Sequence, residues 1–272
     1  MWFSLKNTIT QSHRCLQSGL DVLFPKVCPL CAREEEEEEQ QQPTSADEVV
    51  SLFCSDCHAQ LLRDTRAQCL RCGAPVGPNL PPQAGCTHCQ KDNFRFRHVY
   101  ALGLYDELLK AAILKAKQPG TEPLAIALLD TLWERKQLEL QNLHTDIVVP
   151  VPQHWLERIT RAHHSPTTIG QQLAKQLRVE YASQLLYKSR RTAKQSSLTP
   201  TERRKNLLRA FKVRKGTGIA DAKILLVDDV LTTGSTANEV AKTLRQAGAK
   251  EVNVVVIARG IGHPTAMKTA VT

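Results

Sequence analysis

The sequence predicts a small N-terminal cysteine-rich region followed by an α/β domain, which is built on a mostly parallel sheet flanked by helices. Eight of the nine cysteines form CxxC pairs within the first 95 residues. Short apolar runs at residues 99–104, 146–151 and 224–227 are typical of buried parallel strands, and segments with helical periodicity lie between them. A chain of 272 residues is long enough for one large core and one small satellite. We therefore divide the chain into residues 1–95 and residues 96–272.

The cysteine-rich region has the spacing of metal-binding knuckles. Four repeated CxxC pairs exceed what thiol exchange needs, and thiolates at this spacing bind zinc tetrahedrally in a reducing compartment. We predict two structural zinc sites, arranged as a double zinc ribbon, behind an amphipathic helix over residues 3–24. The four pairs can be joined consecutively or in an interleaved order. The predicted ligands are Cys28, Cys31, Cys54, Cys57, Cys69, Cys72, Cys86 and Cys89.

The second region contains strands and helices in alternation, as a parallel sheet requires. Its apolar runs are rich in β-branched residues, and its helices begin at capping residues. The predicted elements are a strand at residues 99–104, a helix capped by Asp106, a helix at 122–141, a central strand at 146–151, a helix at 166–177 and a strand near 184–187.

Residues 225–236, LLVDDVLTTGST, carry the clearest functional signal. An apolar strand ends at Asp228 and Asp229, and a loop of small and hydroxylated residues around Gly234 then opens a helix. Backbone N–H groups in such a loop converge on an anion at the positive end of the helix, while the acids reach sideways to hydroxyl groups. A ribose 5-phosphate has this layout. The chain has no GxxxxGKS or GxxxxGKT segment, which argues against the alternative of a P-loop ATPase.

This stretch resembles the phosphoribosyl pyrophosphate (PRPP) signature of type I phosphoribosyltransferases. The whole chain is similar to the ComF family, in which a zinc-ribbon segment precedes a type I phosphoribosyltransferase-like domain and whose members are associated with natural competence. The resemblance implies that PRPP binds together with magnesium, which would bridge pyrophosphate oxygens and ribose hydroxyls. The ligand-binding residues that it implies are Asp228, Asp229, Thr232, Thr233, Gly234, Ser235 and Thr236.

The resemblance also assigns roles to two basic residues. Lys115 precedes a glycine turn and is expected to contact an anion. Arg161 is the retained arginine of the expected pyrophosphate loop, and with Asp228 and Asp229 it forms the implied catalytic set. Residues 162–165, Ala-His-His-Ser, depart from the ComF pattern of Gly-Phe-Asn-Gln.

Residues 190–206 are poor in apolar side chains and are expected to form a flexible loop that closes over the ligand and excludes water. Within it, Thr199 and Glu202 have the spacing of a capping box, which predicts a helix start. The loop residues that match the ComF pattern include Thr192, Gln195, Arg203 and Asn206.

The net charge of +9 belongs to the second region. Residues 188–215 contain eleven basic residues and one acid, which favours a polyanionic ligand or a nucleic-acid backbone over a plain solvated surface. We expect single-stranded DNA to bind here and at the ribbons, and proteins of the competence machinery to be further partners. No apolar run approaches the roughly 18 residues of a membrane span, and residues 1–24 lack a signal-peptide core. We therefore expect a cytoplasmic protein without membrane insertion.

Three functions agree with these patterns. The first is an active phosphoribosyltransferase with an unassigned acceptor, and the second is a non-enzymatic PRPP-binding factor in DNA uptake. The third is a zinc-ribbon adaptor for nucleic acid whose second domain binds no ligand. The intact acid pair and phosphate loop argue against the third, and the changed residues 162–165 separate the first two.

Overall fold

The structure is a computed structural model that describes residues 27–34, 51–79, 85–153, 165–193 and 199–261. The helix predicted over residues 3–24 lies outside this part of the chain. No helix in the described residues is long and apolar enough to cross a membrane.

The described residues form six helices and seven strands. The helices are α1 Ser55–Leu62, α2 Glu107–Lys115, α3 Glu122–Gln141, α4 Ser165–Leu177, α5 Pro200–Leu207 and α6 Ser235–Gln246. The strands are β1 Val99–Leu104, β2 Ile147–Pro150, β3 Glu180–Tyr181, β4 Leu186–Lys188, β5 Phe211–Val213, β6 Lys223–Leu231 and β7 Glu251–Arg259.

Five strands form one parallel sheet in the order β1-β7-β6-β2-β3, and β4 pairs with β5 in a separate antiparallel ribbon. Successive side chains of a strand point to opposite faces, and both faces of β6 are covered. Leu225 and Val227 pack with the core of α2, α3 and α4, whereas Ile224 and Leu226 pack with α6 and the antiparallel ribbon. The predicted α/β fold with a parallel sheet flanked by helices is confirmed.

The acid pair lies on an extension of β6 that the sequence did not predict. We expected the strand to end at Val227, but it runs on to Leu231 because β7 is equally long and continues to pair with it. On the other side, β2 ends at Pro150, opposite Val227. Beyond Val227 the edge of β6 that faces β2 is therefore open, and this opening is at the carboxyl ends of the strands, where ligands bind in open α/β sheets.

The cysteine-rich region packs against the sheet domain in two places. Cys28, Cys54 and Cys57 belong to the same buried cluster as the residues of α3 and α4. The third and fourth CxxC pairs form a separate small cluster, and the backbone N–H of Val99 donates to Leu70 O at 2.8 Å to join it to β1. The division of the chain near residue 95 stays a prediction.

Candidate ligand site and cysteine clusters

The acid pair forms one wall of the candidate site. Asp228 and Asp229 are half-buried on the free edge of β6, and the Asp229 N–H donates to Asp228 Oδ1 at 2.9 Å. Lys117, just after α2, lies with its Nζ 2.6 Å from Asp229 Oδ2. The sequence patterns alone did not assign Lys117 to the site. A cation and two carboxylates therefore meet at this strand end.

The carboxyl of Asp228 has a pKa far above the usual range of an aspartate. Burial of the carboxyl, together with the negative charge of Asp229, raises the pKa of Asp228 to about 8. Lys117 acts in the opposite direction but does not cancel the effect. Without ligand, the Asp228 carboxyl therefore stays largely protonated near neutral pH.

The phosphate loop, which we define as residues 232–236, follows at the end of β6. Gly234 adopts φ = 72°, a left-handed conformation that glycine tolerates without a steric penalty, and it is the N-cap of α6. The hydroxyls of Thr233 and Ser235 lie 2.8 Å apart. The first N–H groups of a helix have no acceptor within the helix and point to its positive end. A cavity of about 50 Å³, lined by Asp228 and residues 230–237, lies at this point.

Helix α5 brings the expected flexible loop to the phosphate loop. Thr199 and Glu202 form the predicted capping box, with hydrogen bonds in both directions. Arg203 Nη1 donates to Thr232 Oγ1 at 3.3 Å. Asn206 accepts from the N–H of Ala193 and donates to its carbonyl oxygen, both at 3.0 Å.

The other predicted site residues are placed as follows. Thr192 is half-buried in the segment after β4. Lys115 donates from Nζ to Leu30 O at 3.3 Å, which directs it to the first CxxC pair, so its contact with an anion stays a prediction. Arg161 and Gln195 lie outside the described residues.

The eight cysteines form two groups of four with consecutive pairing. The first cysteine group holds the first and second CxxC pairs, and the second cysteine group holds the third and fourth. In each group the sulfurs lie within 4.8 Å of one another. The Cys69–Cys89 and Cys72–Cys86 sulfur distances are 3.8 and 3.5 Å. A tetrahedral zinc with Zn–S bonds of about 2.3 Å requires sulfurs roughly 3.8 Å apart, so the described geometry fits zinc and not disulfides.

A second cavity, of about 530 Å³, lies at the opposite ends of the strands from the acid pair. It is lined by residues of the segments that precede β2 and β3, among them His144 and Arg178. This cavity contains neither the acid pair nor the phosphate loop, and it faces the amino ends of the strands. The acid pair, Lys117 and the phosphate loop lie instead at the carboxyl ends of the strands, and we take these ends as the candidate ligand site.

The chain is similar to several known proteins. Residues 167–268 match the phosphoribosyl transferase domain family. The chain is 30% identical over 216 residues to the DNA utilization protein YhgH of Salmonella typhimurium, covering 76% of this chain and 89% of that protein. It is 28% identical over 211 residues to competence protein F of Haemophilus influenzae, covering 76% and 90%. Adenine phosphoribosyltransferase of Saccharomyces cerevisiae aligns with 53% of this chain and 70% of its own, at 18% identity and a TM-score of 0.33. The chain belongs to the ComF family.

Proposed function

We propose that this protein is a PRPP-binding phosphoribosyltransferase that acts in the handling of incoming single-stranded DNA during natural competence. The observation that carries the proposal is the meeting of three features at the open carboxyl end of β6. These features are the acid pair Asp228 and Asp229, the left-handed Gly234 and the amino end of α6. Together they offer anion donors for the 5-phosphate and carboxylates for the hydroxyls of a ribose 5-phosphate.

The phosphate loop binds the 5-phosphate. Its N–H groups, at the positive end of α6, are the strongest anion donors that an uncharged backbone offers. Thr232 lies beside Arg203, so the loop also has a guanidinium within reach of a bound phosphate. This arrangement distinguishes a phosphorylated ribose from the free sugar.

The acid pair orients the ribose. Ionised Asp228 and Asp229 accept hydrogen bonds from the 2- and 3-hydroxyls, and Lys117 balances the charge of Asp229. Carboxylate oxygens are also suitable ligands for magnesium or for its bound water. When bound, magnesium supplies charge neutralisation of the departing pyrophosphate. The acids stabilise positive charge at the anomeric carbon as the bond to pyrophosphate breaks.

We expect residues 190–206 to exclude water from that charged sugar. Helix α5 already lies against the phosphate loop through Arg203. Arg204, on the same helix, is bonded to Asp92 next to the second cysteine group. Closure of residues 190–206 over the ligand would protect the sugar from hydrolysis before the acceptor attacks it.

A second candidate function is a PRPP-binding factor without catalysis. The observation in its favour is Ser165, which stands at the glutamine position of the ComF pattern. Ser165 is 3% exposed and its hydroxyl donates to Ala116 O at 3.1 Å, so it joins the start of α4 to the end of α2. In that case PRPP would act as an effector of DNA handling.

Single-stranded DNA is the proposed macromolecular partner, in line with the names of the relatives. The antiparallel ribbon presents exposed Tyr187 opposite exposed Lys212, and the Arg214 guanidinium lies 5.8 Å from the Tyr187 ring. An exposed aromatic ring among basic side chains is suited to stacking on bases while the charges bind phosphates.

Calorimetric titration tests the shared part of these proposals. PRPP with magnesium should bind with one site per chain, and ribose 5-phosphate should compete with it. A pyrophosphate-release assay over nucleobases and single-stranded DNA then separates enzyme from binding factor. Release with any acceptor supports the transferase, whereas binding without release supports the effector. Failure of PRPP to bind would contradict both.

A further inference from the structure

Arg259 is a buried cation directly beneath the phosphate loop. It is the last residue of β7 and is 5% exposed. Its Nη1 donates to Leu231 O at 3.0 Å and also to the carbonyl oxygens of Thr232 and Gly260. These bonds hold the residues through which β6 enters the phosphate loop. Arg259 therefore sets the direction in which the loop leaves the sheet.

The guanidinium of Arg259 lacks a carboxylate partner among the described residues. None of their ion pairs includes it, and its buried Nε has no hydrogen-bond partner there. A buried, unpaired charge is costly. The position therefore requires a source of negative charge close by.

With a metal bound, the second cysteine group would supply that charge. Burial raises the pKa of the Cys72 thiol, and the positive charge of Arg259 opposes that rise. Ile261, two residues after Arg259, packs on the same cysteine cluster. Four thiolates around one zinc ion carry a net charge of about −2. Loss of the metal would dismantle this anionic cluster and remove the counter-charge of Arg259.

A second contact joins the same cysteine cluster to the loop. Phe94 packs against the second cysteine group and is stacked on Phe96, with ring centroids 4.5 Å apart. Its ring edge would be 3.0 Å from a Cβ atom on Gly234. The N–H of Arg95 donates to Asn238 Oδ1, in the first turns of α6, at 2.6 Å. Phe94 and Arg95, which follow the second cysteine group in the chain, thus contact the phosphate loop and the first turns of α6.

We propose that Arg259 is a positioning residue that couples metal binding at the second cysteine group to phosphate binding at residues 232–236. The inference rests on the proposed function, because it requires ribose 5-phosphate to bind at this loop. Coupling between two binding equilibria is reciprocal. A bound phosphate must therefore strengthen metal binding at the second group by the factor by which the metal strengthens phosphate binding, roughly 5-fold to 100-fold. The first cysteine group packs on α3, and we expect no such coupling there.

The unmodified full-length protein provides the first test. Zinc transfer to a chromophoric chelator is followed with and without saturating ribose 5-phosphate. We expect ribose 5-phosphate to slow zinc transfer from one cysteine group and to leave transfer from the other unchanged. Cadmium-113 substitution should give one resonance per group, and only that of the second should shift when ribose 5-phosphate is added. A Cys31→Ser variant, altered in the first group, assigns the resonances.

The outcomes separate this inference from the function on which it rests. If ribose 5-phosphate binds by calorimetry but both metals transfer as before, the coupling is wrong and the ligand site stands. If neither ribose 5-phosphate nor PRPP binds, the ligand site is wrong and the coupling falls with it. Equal protection of both metals would indicate general stabilisation and would also contradict the coupling.

Variants then test the assignment to Arg259. Arg259→Gln should weaken ribose 5-phosphate binding about tenfold or more and remove its effect on the metal, while Arg259→Lys, which keeps the charge, should retain part of that effect. Arg245→Gln is the matched control, because Arg245 Nη1 also donates to a backbone carbonyl, Ala249 O at 2.9 Å, but at the far end of α6. Full coupling in a folded Arg259→Gln protein would overturn the role of this residue.

Discussion

Arg204 Nη2 lies 2.6 Å from Asp92 Oδ1 and ties helix α5 to the segment that follows the second cysteine group. The neighbouring residue on the same helix, Arg203, instead contacts Thr232 in the phosphate loop. Two adjacent arginines thus have different partners, one in the cysteine-rich region and one in the candidate site. This difference allows their contributions to ligand binding to be separated.

We expect Arg203→Gln to lower the affinity for ribose 5-phosphate about tenfold to a hundredfold. A hydrogen bond between a charged donor and a phosphate contributes roughly 1.5–3 kcal/mol. Arg204→Gln should lower the affinity less than about fivefold, because the arginine side chain is 64% exposed and such ion pairs contribute about 0–1 kcal/mol. Calorimetry on both variants measures the ratio. Equal losses would contradict the contact of Arg203 with the phosphate.

Substitutions in the acid pair and in the phosphate loop should weaken PRPP binding in different ways. Asp228→Asn combined with Asp229→Asn keeps the side-chain volume but removes the charge that orients the ribose hydroxyls and magnesium. We expect PRPP affinity to fall about tenfold to a hundredfold and its magnesium dependence to fade. Titrations with and without magnesium measure both effects.

Gly234→Val is the matched comparison for the acid-pair variant. The left-handed backbone at φ = 72° disfavours a β-branched residue, and the added Cβ would lie 3.0 Å from the Phe94 ring. PRPP and ribose 5-phosphate binding should therefore weaken alike, with the magnesium dependence preserved. If both variants bound PRPP like the parent, the phosphate-loop assignment would be wrong.

The raised pKa of Asp228 predicts a pH-dependent affinity. Ligand hydroxyls bind to the ionised carboxyl, so below its pKa of about 8 the ligand must first displace a proton. PRPP affinity should rise as pH increases from about 7 to 8 and level off above, with a slope of at most about tenfold per pH unit. Calorimetry in buffers of different ionisation enthalpy should show proton release near pH 7. The Asp228→Asn variant should show none from this site.

The raised pKa of Asp228 also predicts that the ligand-free protein becomes less stable as the pH rises, although its PRPP affinity increases. The unfolded chain ionises Asp228 near pH 4, whereas the folded protein retains the proton up to about pH 8. The folded state binds more protons in this range, so its stability falls as the pH rises through it. Asp228→Asn lacks this loss and should melt at a higher temperature than the parent at pH 8. A smaller difference at pH 5 is the internal control.

Metal content is the most direct test of the cysteine clusters. Reduced, purified protein should contain two zinc ions per chain by elemental analysis, one for each cysteine group. Cys69→Ser should lose one zinc while the sheet domain stays folded, because its cluster is separate from the large core. Cys57→Ser should also lower the melting temperature of the sheet domain, because Cys57 belongs to that core. One zinc or none in the parent would contradict the assignment.

Single-stranded DNA should bind with a steep salt dependence and little sequence preference, because phosphate contacts release counterions. Tyr187→Ala removes the stacking surface and should weaken binding by about 1–3 kcal/mol without changing the salt slope. Lys212→Ala, on the facing strand, should reduce the slope by about one. Fluorescence anisotropy over a range of salt concentrations measures both. An affinity independent of salt would contradict electrostatic binding.

The local patterns of the chain determined most of its elements. The strand at residues 99–104 and the helix at 122–141 have the bounds that periodicity predicts, and the capping box at Thr199 forms as expected. Each of these elements is determined by residues that are close in sequence, so it can be predicted from a short stretch of the chain. The acid pair and Gly234 could be identified for the same reason, since the strand, turn and helix that present them are contiguous.

Only the tertiary structure decided which distant residues meet. It joined the CxxC pairs consecutively, extended β6 past the acid pair by pairing it with β7, and placed Lys117 at Asp229. It also placed Arg259, at the end of β7, against the carbonyl oxygen of Leu231 just before the phosphate loop. Such contacts depend on strand order and chain crossing, which no local spacing encodes. The sequence by itself therefore determined the chemistry of the phosphate loop, and the fold determined which charged side chains and which cysteine group surround it.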